Sequence, residues 1–289
     1  MLTNMIKSRV LILGSSGQIG AYLTEYLCDK GYEVLEFDIV NGVHQDMTEI
    51  PNPELHRQIM RSHFIFFLAF DVGGSHYLKK YQHTFKFINN NTRIMANVFG
   101  YLEDYQVPFV FASSQMSNMG YSPYGVMKRV GELYTKSLNG SIVKFWNVFG
   151  IEKDMEKAHV ITDFIIKGFE TGVIDMMTDG TEEREFLYAE DCCEALETIM
   201  GCYDQFTCDD ELHITTGIST SILEIAQIIQ VLFRNIGKEV EVIPASSKDE
   251  VQKDARNISD PYIERWWQPK TDVVDGISKV FNEIKLNYL

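Results

Sequence analysis

Tyr124 and Lys128 stand four residues apart at the start of a helical stretch running to Leu138, and that spacing projects both side chains from one face. A lysine ammonium beside a phenol favours the phenolate, bringing tyrosine down from a pKa of about 10 toward working pH, as removal of a hydroxyl proton requires. A second set of residues lies near the N-terminus, in Gly14-Ser15-Ser16-Gly17-Gln18-Ile19-Gly20. A turn bare of side chains lets a pyrophosphate approach backbone N–H groups and the positive end of a following helix. Asp38, 18 residues beyond Gly20, stands where a carboxylate accepts both hydroxyls of a ribose and repels a 2′-phosphate, so the cofactor inferred is NAD rather than NADP. Taken singly, each pattern also occurs as a tight turn, a turn aspartate or a surface helix pair; their order along the chain gives them meaning.

The elements that must position these groups follow from apolar periodicity. Residues 9–13 form a branched apolar run ending in Gly14, Ile19 to Lys30 carries apolar residues at three- and four-residue steps, and Val34 to Phe37 is a strand ending at Asp38. Strand, glycine turn, helix and strand make a right-handed βαβ unit of a parallel sheet. The alternation continues with a strand at Phe64–Ala69, a helix at Thr92–Asp104, a strand at Phe109–Ala112, the helix at Tyr124–Leu138 and a strand at Ser141–Phe145. Continuously apolar strands imply a sheet covered on both faces. After Gly150 the regularity weakens, with helices expected at His159–Thr171, Asp191–Gly201 and Ser221–Ile236 and strands at Glu185–Tyr188 and Glu239–Ile243. The organisation expected is therefore an α/β chain with a dinucleotide-binding unit over 1–150 and a smaller region over 151–289, interleaved with it.

Composition removes several function classes. The 289 residues hold 26 Lys+Arg against 41 Asp+Glu, a net charge of −15, so neither nucleic acid nor an anionic membrane is expected as a partner. The five cysteines (Cys28, Cys192, Cys193, Cys202, Cys208) include no C-x-x-C pair, which suggests no disulfide framework or zinc site and fits a reduced cytoplasm. The longest apolar run, Phe64 to Phe70, is far short of the roughly 20 residues that cross a bilayer. No secretory signal is visible, and a cytoplasmic protein is expected.

Together the motifs resemble the extended short-chain dehydrogenase/reductase superfamily, in its NAD-dependent nucleotide-sugar epimerase/dehydratase group, over essentially the whole length. The resemblance rests on Gly14-x-x-Gly17-x-x-Gly20, Asp38, Asp46-Met47, Phe67-Leu68-Ala69, Asn91, Ser113-Ser114, Ser122-Pro123-Tyr124-Gly125-x-x-Lys128, Asn147-Val148-Phe149-Gly150, Arg184 to Asp191, and Trp267-x-Pro269 followed by Gly276. It implies a Rossmann-like doubly wound parallel sheet with a smaller mixed α/β C-terminal substrate-binding part. It also implies Tyr124 as acid/base on a sugar hydroxyl, Lys128 on the nicotinamide ribose, and Ser113 or Ser114 on the reacting oxygen. NAD would be held by Gly14, Ser16, Gly17, Gln18, Ile19, Gly20, Asp38, Asp46, Met47, Leu68 and Ala69 with Tyr124 and Lys128. The nucleotide sugar would meet Val72, Gly73, Gln115, Asn147 and His159, with Arg184 near its diphosphate. A homodimer is expected through the helices at Thr92–Asp104 and Tyr124–Leu138, with Met95, Phe99, Val130 and Leu133 as candidate contacts.

Departures from the group's pattern narrow the reaction. Where its dehydratases carry an Asp-Glu pair, this sequence has Gln115 and Met116, which neither donate nor accept a proton usefully, so dehydration is not expected. The segment Leu68 to Gly74 and His159-Val160 are similar to GDP-fucose synthases, yet Gln115 replaces their epimerisation cysteine. The expected reaction is therefore hydride removal from C4 of a GDP-linked sugar of mannose or manno-heptose type, giving a 4-keto sugar. A 4-epimerase or 4-reductase is the first alternative, and a non-catalytic NAD-binding regulator the second. Only nine residues separate Ser114 from Tyr124, which predicts a site more open on that side. Lys253 and Arg256 are candidate clamps on the diphosphate, and the pocket is expected to be basic inside an acidic shell.

Overall fold

The computed structural model describes residues 8–253 and 257–288. In β1 (Arg9–Leu13), Val10 and Ile12 enter one core while Leu11 and Leu13 enter another, and all four are fully buried. Burial on both faces is why the run shows no polar alternation. The glycine turn leads into α1 (Gln18–Asp29), which lays Leu23 and Leu27 on the sheet, and the chain returns as β2 (Glu33–Phe37), parallel to β1. α2 (Pro53–Arg61) opens under Asn52, whose side chain accepts from Leu55 N, and precedes β3 (Phe64–Phe67). α3 (Ser75–Tyr81) is followed by α4 (Phe85–Tyr105), opened by the Thr84 side chain accepting from Phe87 N. β4 (Phe109–Ser114) then leads to α5 (Pro123–Ser137), which has Pro123 in its first turn and Ser122 as its cap. A proline there forfeits no hydrogen bond, because first-turn N–H groups have no helical partner.

The chain continues through β5 (Ser141–Phe145), β6 (Asn147–Phe149), α6 (Val160–Thr171), β7 (Val173–Asp175), β8 (Glu183–Tyr188) and α7 (Ala189–Gly201). It closes with β9 (Glu211–Ile214), β10 (Ser219–Ser221), α8 (Ile222–Asn235), β11 (Glu241–Ile243) and α9 (Val273–Lys285). The main sheet has the order β2-β1-β3-β4-β5-β9, parallel throughout, with smaller sheets β10-β8-β6 and β11-β7 beside it. This is the Rossmann-like architecture expected. Its sixth strand, β9, comes from the C-terminal half and pairs with β5 from Ile142 opposite Glu211 to Phe145 opposite Ile214. A separate core, built by Phe149, Ile165, Phe186, Ile229, Phe233 and Phe281, holds the small sheets to α6, α8 and α9.

Three differences from the sequence reading have physical causes. α4 starts seven residues before the expected Thr92, because the Thr84 cap and Phe87 packing carry the helix through Asn89-Asn90-Asn91 despite asparagine's poor helix propensity. β3 ends at Phe67, so Leu68 and Ala69 leave the sheet and turn toward Gly14. Met95 and Phe99, offered as dimer contacts, are 1 % and 2 % exposed and pack in the chain's own core, while Leu133 is 57 % exposed. A helix lying on its own sheet spends its most apolar stripe there, and the outward apolar residues on α4 and α5 are Phe85, Ile88, Tyr105, Val126, Leu133 and Tyr134, of which only Leu133 was expected.

Candidate active site

The glycine loop is shaped by backbone packing. Gly14 has φ +90°, and a Cβ there would lie 2.7 Å from Ala69 N; a Cβ on Gly20 would lie 2.0 Å from Gly14 O. Gly17, by contrast, meets only Gly14 O at 3.4 Å, leaving its outer face open at the start of α1. Buried beside it, the Gln18 side-chain Nε2 has no hydrogen-bond partner among the described residues, and a buried donor left unpaired is costly unless a ligand engages it. Asp38 follows β2 and accepts from Ser16 N at 3.1 Å and from Val40 N at 3.0 Å, which fixes its carboxylate beside the loop. Residues 39–43 contain no cation, so nothing in that stretch would compensate a 2′-phosphate. These features fit NAD. Leu68 lies against the loop, with Leu68 N donating to Leu13 O at 2.9 Å. Asp46 uses Oδ1 to cap Thr48, and Met47 is 6 % exposed within the core.

α5 carries the candidate reactive pair. A Cβ on Gly131 would lie 2.2 Å from the Phe111 ring, so only glycine lets α5 settle this close to β4. Tyr124 and Lys128 then sit at the C-terminal end of β4, 9 % and 3 % exposed. Lys128 Nζ donates to Ala112 O at 2.6 Å and stands 3.9 Å from the Phe70 ring centroid. Burial pulls its ammonium from 10.5 down to about 7, against the attraction of Glu132. The Tyr124 phenol is pushed up to about 12 by burial, opposed by a hydrogen bond with Ser114. The expected lowering of Tyr124 by Lys128 is thus absent from the protein alone: Nζ is committed to Ala112 and lies 5.8 Å from the Tyr124 centroid.

Ser113 and Ser114 part ways. Successive strand residues face opposite sides, and Ser113 Oγ donates to Glu132 Oε1 at 2.5 Å while Ser114 meets Tyr124. Glu132, one turn past Lys128, also accepts from Arg129 Nη1 at 2.6 Å. Lys144 Nζ lies 3.6 Å from Glu132 Oε1 and 2.5 Å from Glu211 Oε2. This ionic cluster, buried at Glu132 and Lys144, ties α5, β4, β5 and β9 together beside Lys128. Only its spacing from Lys128 could have revealed Glu132 in the sequence.

On the sugar side, Asn91 is fully buried and fixes the segment after β3, accepting from Asp71 N at 2.7 Å and donating to Asp71 O at 3.1 Å. Val72 packs near Tyr124. A Cβ on Gly73 would lie 2.9 Å from Lys157 Cα, and Gly74 N donates to Lys157 O at 2.9 Å, which brings His159 to the same neighbourhood. His159 is held by Glu152, whose carboxylate accepts from its backbone N at 2.6 Å and bonds Nδ1 at 2.7 Å. Burial works against a charge on that ring, but Glu152 outweighs it and raises the pKa above 6.5. Asn147 donates to Glu185 O at 3.3 Å.

The expected opening beside the short Ser114–Tyr124 segment is covered. Residues 249–253 cross it, with Val251 4 % exposed in one apolar cluster with Tyr124, Met116 and Met119. Gln115 Nε2 donates to Gln252 Oε1 at 3.0 Å, Tyr121 Oη donates to Gln252 O at 2.6 Å, and Asn257 Nδ2 donates to Gln115. Gln115, expected to touch substrate, therefore spends its amide on this strap. Beside it lies a cavity of about 340 Å³ lined among others by Trp146, Arg184, Lys248, Asp249, Gln252 and Lys253. Among the described residues this cavity is not the basic pocket anticipated from the sequence: Arg184, Lys248 and Lys253 share the lining with Glu182, Glu183, Glu185 and Asp249. Arg184 is ion-paired to Asp249 and donates to Glu183 O at 2.7 Å. Lys253 lies over the Tyr121 ring at 4.3 Å, and Arg256 is outside the described residues. Sequence reasoning missed Asp249, Gln252, Asn257 and Glu152, which belong to no motif.

Known proteins were compared with this chain. A GDP-L-fucose synthase from Sinorhizobium fredii is 23 % identical over 312 residues, covering 96 % of each chain. Among solved structures, an epimerase from Methanothermobacter thermautotrophicus superposes with a TM-score of 0.85 at 21 % identity, covering 98 % of this chain and 93 % of that one. A GDP-6-OMe-4-keto-L-xylo-heptose reductase from C. jejuni gives 0.81 at 18 % identity, covering 97 % and 98 %. The model of the NAD-dependent epimerase/dehydratase family matches residues 10–214, most of the chain and all of the loop, strand and helix that carry Gly14, Asp38, Tyr124 and Lys128; the protein belongs to that family.

Proposed function

We propose that the protein is an oxidoreductase that removes hydride from C4 of a nucleotide-diphosphate sugar, with Tyr124 taking the hydroxyl proton, to give a 4-keto sugar. The observation that carries this reading is the convergence of Tyr124, Ser114 and Lys128 at one end of a parallel sheet whose first turn offers the open Gly17 face. NAD, when bound, accepts the hydride. In this reading Ser114 orients the reacting oxygen and Lys128 engages the nicotinamide ribose. Oxidised nicotinamide is positive, and a positive charge beside Tyr124 lowers its pKa from the value seen in the protein alone. Residues 1–150 supply the cofactor side and, through Val72, Gly73, Gln115 and Asn147, part of the nucleotide-sugar side, which residues 151–289 complete.

Support for a GDP-linked sugar of mannose or manno-heptose type comes from likeness to a GDP-L-fucose synthase and to a GDP-6-OMe-4-keto-L-xylo-heptose reductase. Dehydration has no acid at position 115, where the amide is tied to Gln252 and Asn257. A 4-epimerase is the second reading, favoured by the cover over Tyr124, which would keep a keto intermediate inside. Purified protein with NAD, offered GDP-mannose and UDP-glucose separately, tests both. A released sugar lighter by the hydride and proton removed supports oxidation; unchanged mass with inverted C4 overturns release in favour of epimerisation. We also infer a homodimer through the exposed apolar residues of α4 and α5, since such a face on paired helices suits an isologous contact.

A further inference from the structure

Tyr124 does not line the cavity of about 340 Å³, although Gln115, Arg184 and Gln252 do. The strap of residues 249–253 lines the cavity through Asp249, Gln252 and Lys253, and its Val251 is buried in the apolar cluster that contains Tyr124. A base must come within hydrogen-bond reach of the proton it removes, so a sugar entering through this cavity reaches Tyr124 only after the strap moves. Its firmest tie is the Asp249–Arg184 ion pair, whose side chains are 11 % and 12 % exposed. The Lys79–Glu250 pair at 2.7 Å is largely exposed and screened, and the ties to Gln115 and Tyr121 are neutral. The Asp249 carboxylate also accepts from Val251 N at 2.8 Å, so the group that grips Arg184 also sets the turn that carries Val251 into its apolar cluster.

We propose that Asp249 makes access to Tyr124 conditional on a diphosphate. A nucleoside diphosphate reaching Arg184 displaces the Asp249 carboxylate, the strap lifts, and the attached sugar enters. This rests on the reading of Arg184 as the diphosphate contact. A diphosphate competes well because it offers a guanidinium several oxygens and more than one negative charge. The pair thereby discriminates against free sugars without touching the sugar.

Hydrogen exchange of the 249–253 segment, measured by mass spectrometry on the full chain with NAD, tests the proposal. Exchange should be slow alone, about fivefold or more faster with GDP or UDP, and unchanged with GMP or UMP. Asp249→Asn should exchange fast without nucleotide and gain nothing from it. Binding of GDP or UDP in equilibrium dialysis with exchange unchanged or slowed overturns the latch and leaves the diphosphate reading standing. Failure of both to bind overturns that reading, and the latch with it. Parent-like slow exchange in Asp249→Asn also overturns the latch; should that variant not fold, the parent's response to nucleotide decides alone.

Discussion

Replacing Lys128 by methionine should stabilise the protein while abolishing turnover, and the stabilisation should shrink as pH rises. Lys128 is 3 % exposed, and burial holds its ammonium near 7 instead of 10.5. Between those values the unfolded chain binds more protons than the native one, so the cost of keeping this lysine inside falls as pH increases. At about 1.4 kcal/mol per tenfold change in the proton equilibrium, that cost is about 4 kcal/mol at pH 7 and about 2 kcal/mol at pH 9. Methionine has no proton to lose, but it leaves Ala112 O without the donor it now has at 2.6 Å, a loss of about 1–3 kcal/mol at either pH. The variant should therefore gain about 1–3 kcal/mol at pH 7 and little or nothing at pH 9. Urea unfolding followed by tryptophan fluorescence, on parent and variant stripped of nucleotide, measures this at both pH values. Terms that do not involve Lys128 cancel between the two proteins. A stability difference identical at pH 7 and pH 9 would refute the buried, half-neutral lysine.

Three further outcomes follow from the packing. Ser114→Ala should lower kcat by about 10²-fold, whereas Ser113→Ala should keep kcat and lose about 1–3 kcal/mol of stability because Glu132 forfeits a buried donor; steady-state kinetics beside urea melts separate them. Gly131→Ala forces a methyl toward the Phe111 ring and should cost about 1–3 kcal/mol, read as a lowered Tm. Leu133→Glu should convert a dimer to a monomer in light scattering while leaving the monomer's Tm unchanged within a few degrees.

The parts legible in the sequence were those whose partners are near in the chain. The loop from Gly14 to Gly20, Asp38 and the Tyr124–Lys128 pair each announce themselves within one βαβ unit or one helical turn, where spacing fixes geometry. The strap was illegible for the opposite reason: Gln115 meets Gln252, and Arg184 meets Asp249, across long stretches of chain, and amide–amide or single ion-pair contacts have no periodicity. The same limit produced the mistaken opening beside Tyr124, since a short loop says nothing about which distant segment fills the space. Ser113 and Ser114 were indistinguishable by type. Strand alternation separates them only once Glu132 on α5 is known to lie opposite one of them.

The place of β9 in the main sheet bears on how the polypeptide is made. Lys144 in β5 is fully buried, and its nearest counter-charge is Glu211 in β9. On a ribosome, the first five strands emerge well before residue 211, and until then β5 is a bare edge with a lysine waiting beside it. The six-stranded sheet thus cannot be completed as its first five strands are synthesised. It must stay open while more than sixty further residues are translated, which makes the arrival of β9, rather than the end of the N-terminal half, the event that closes the sheet.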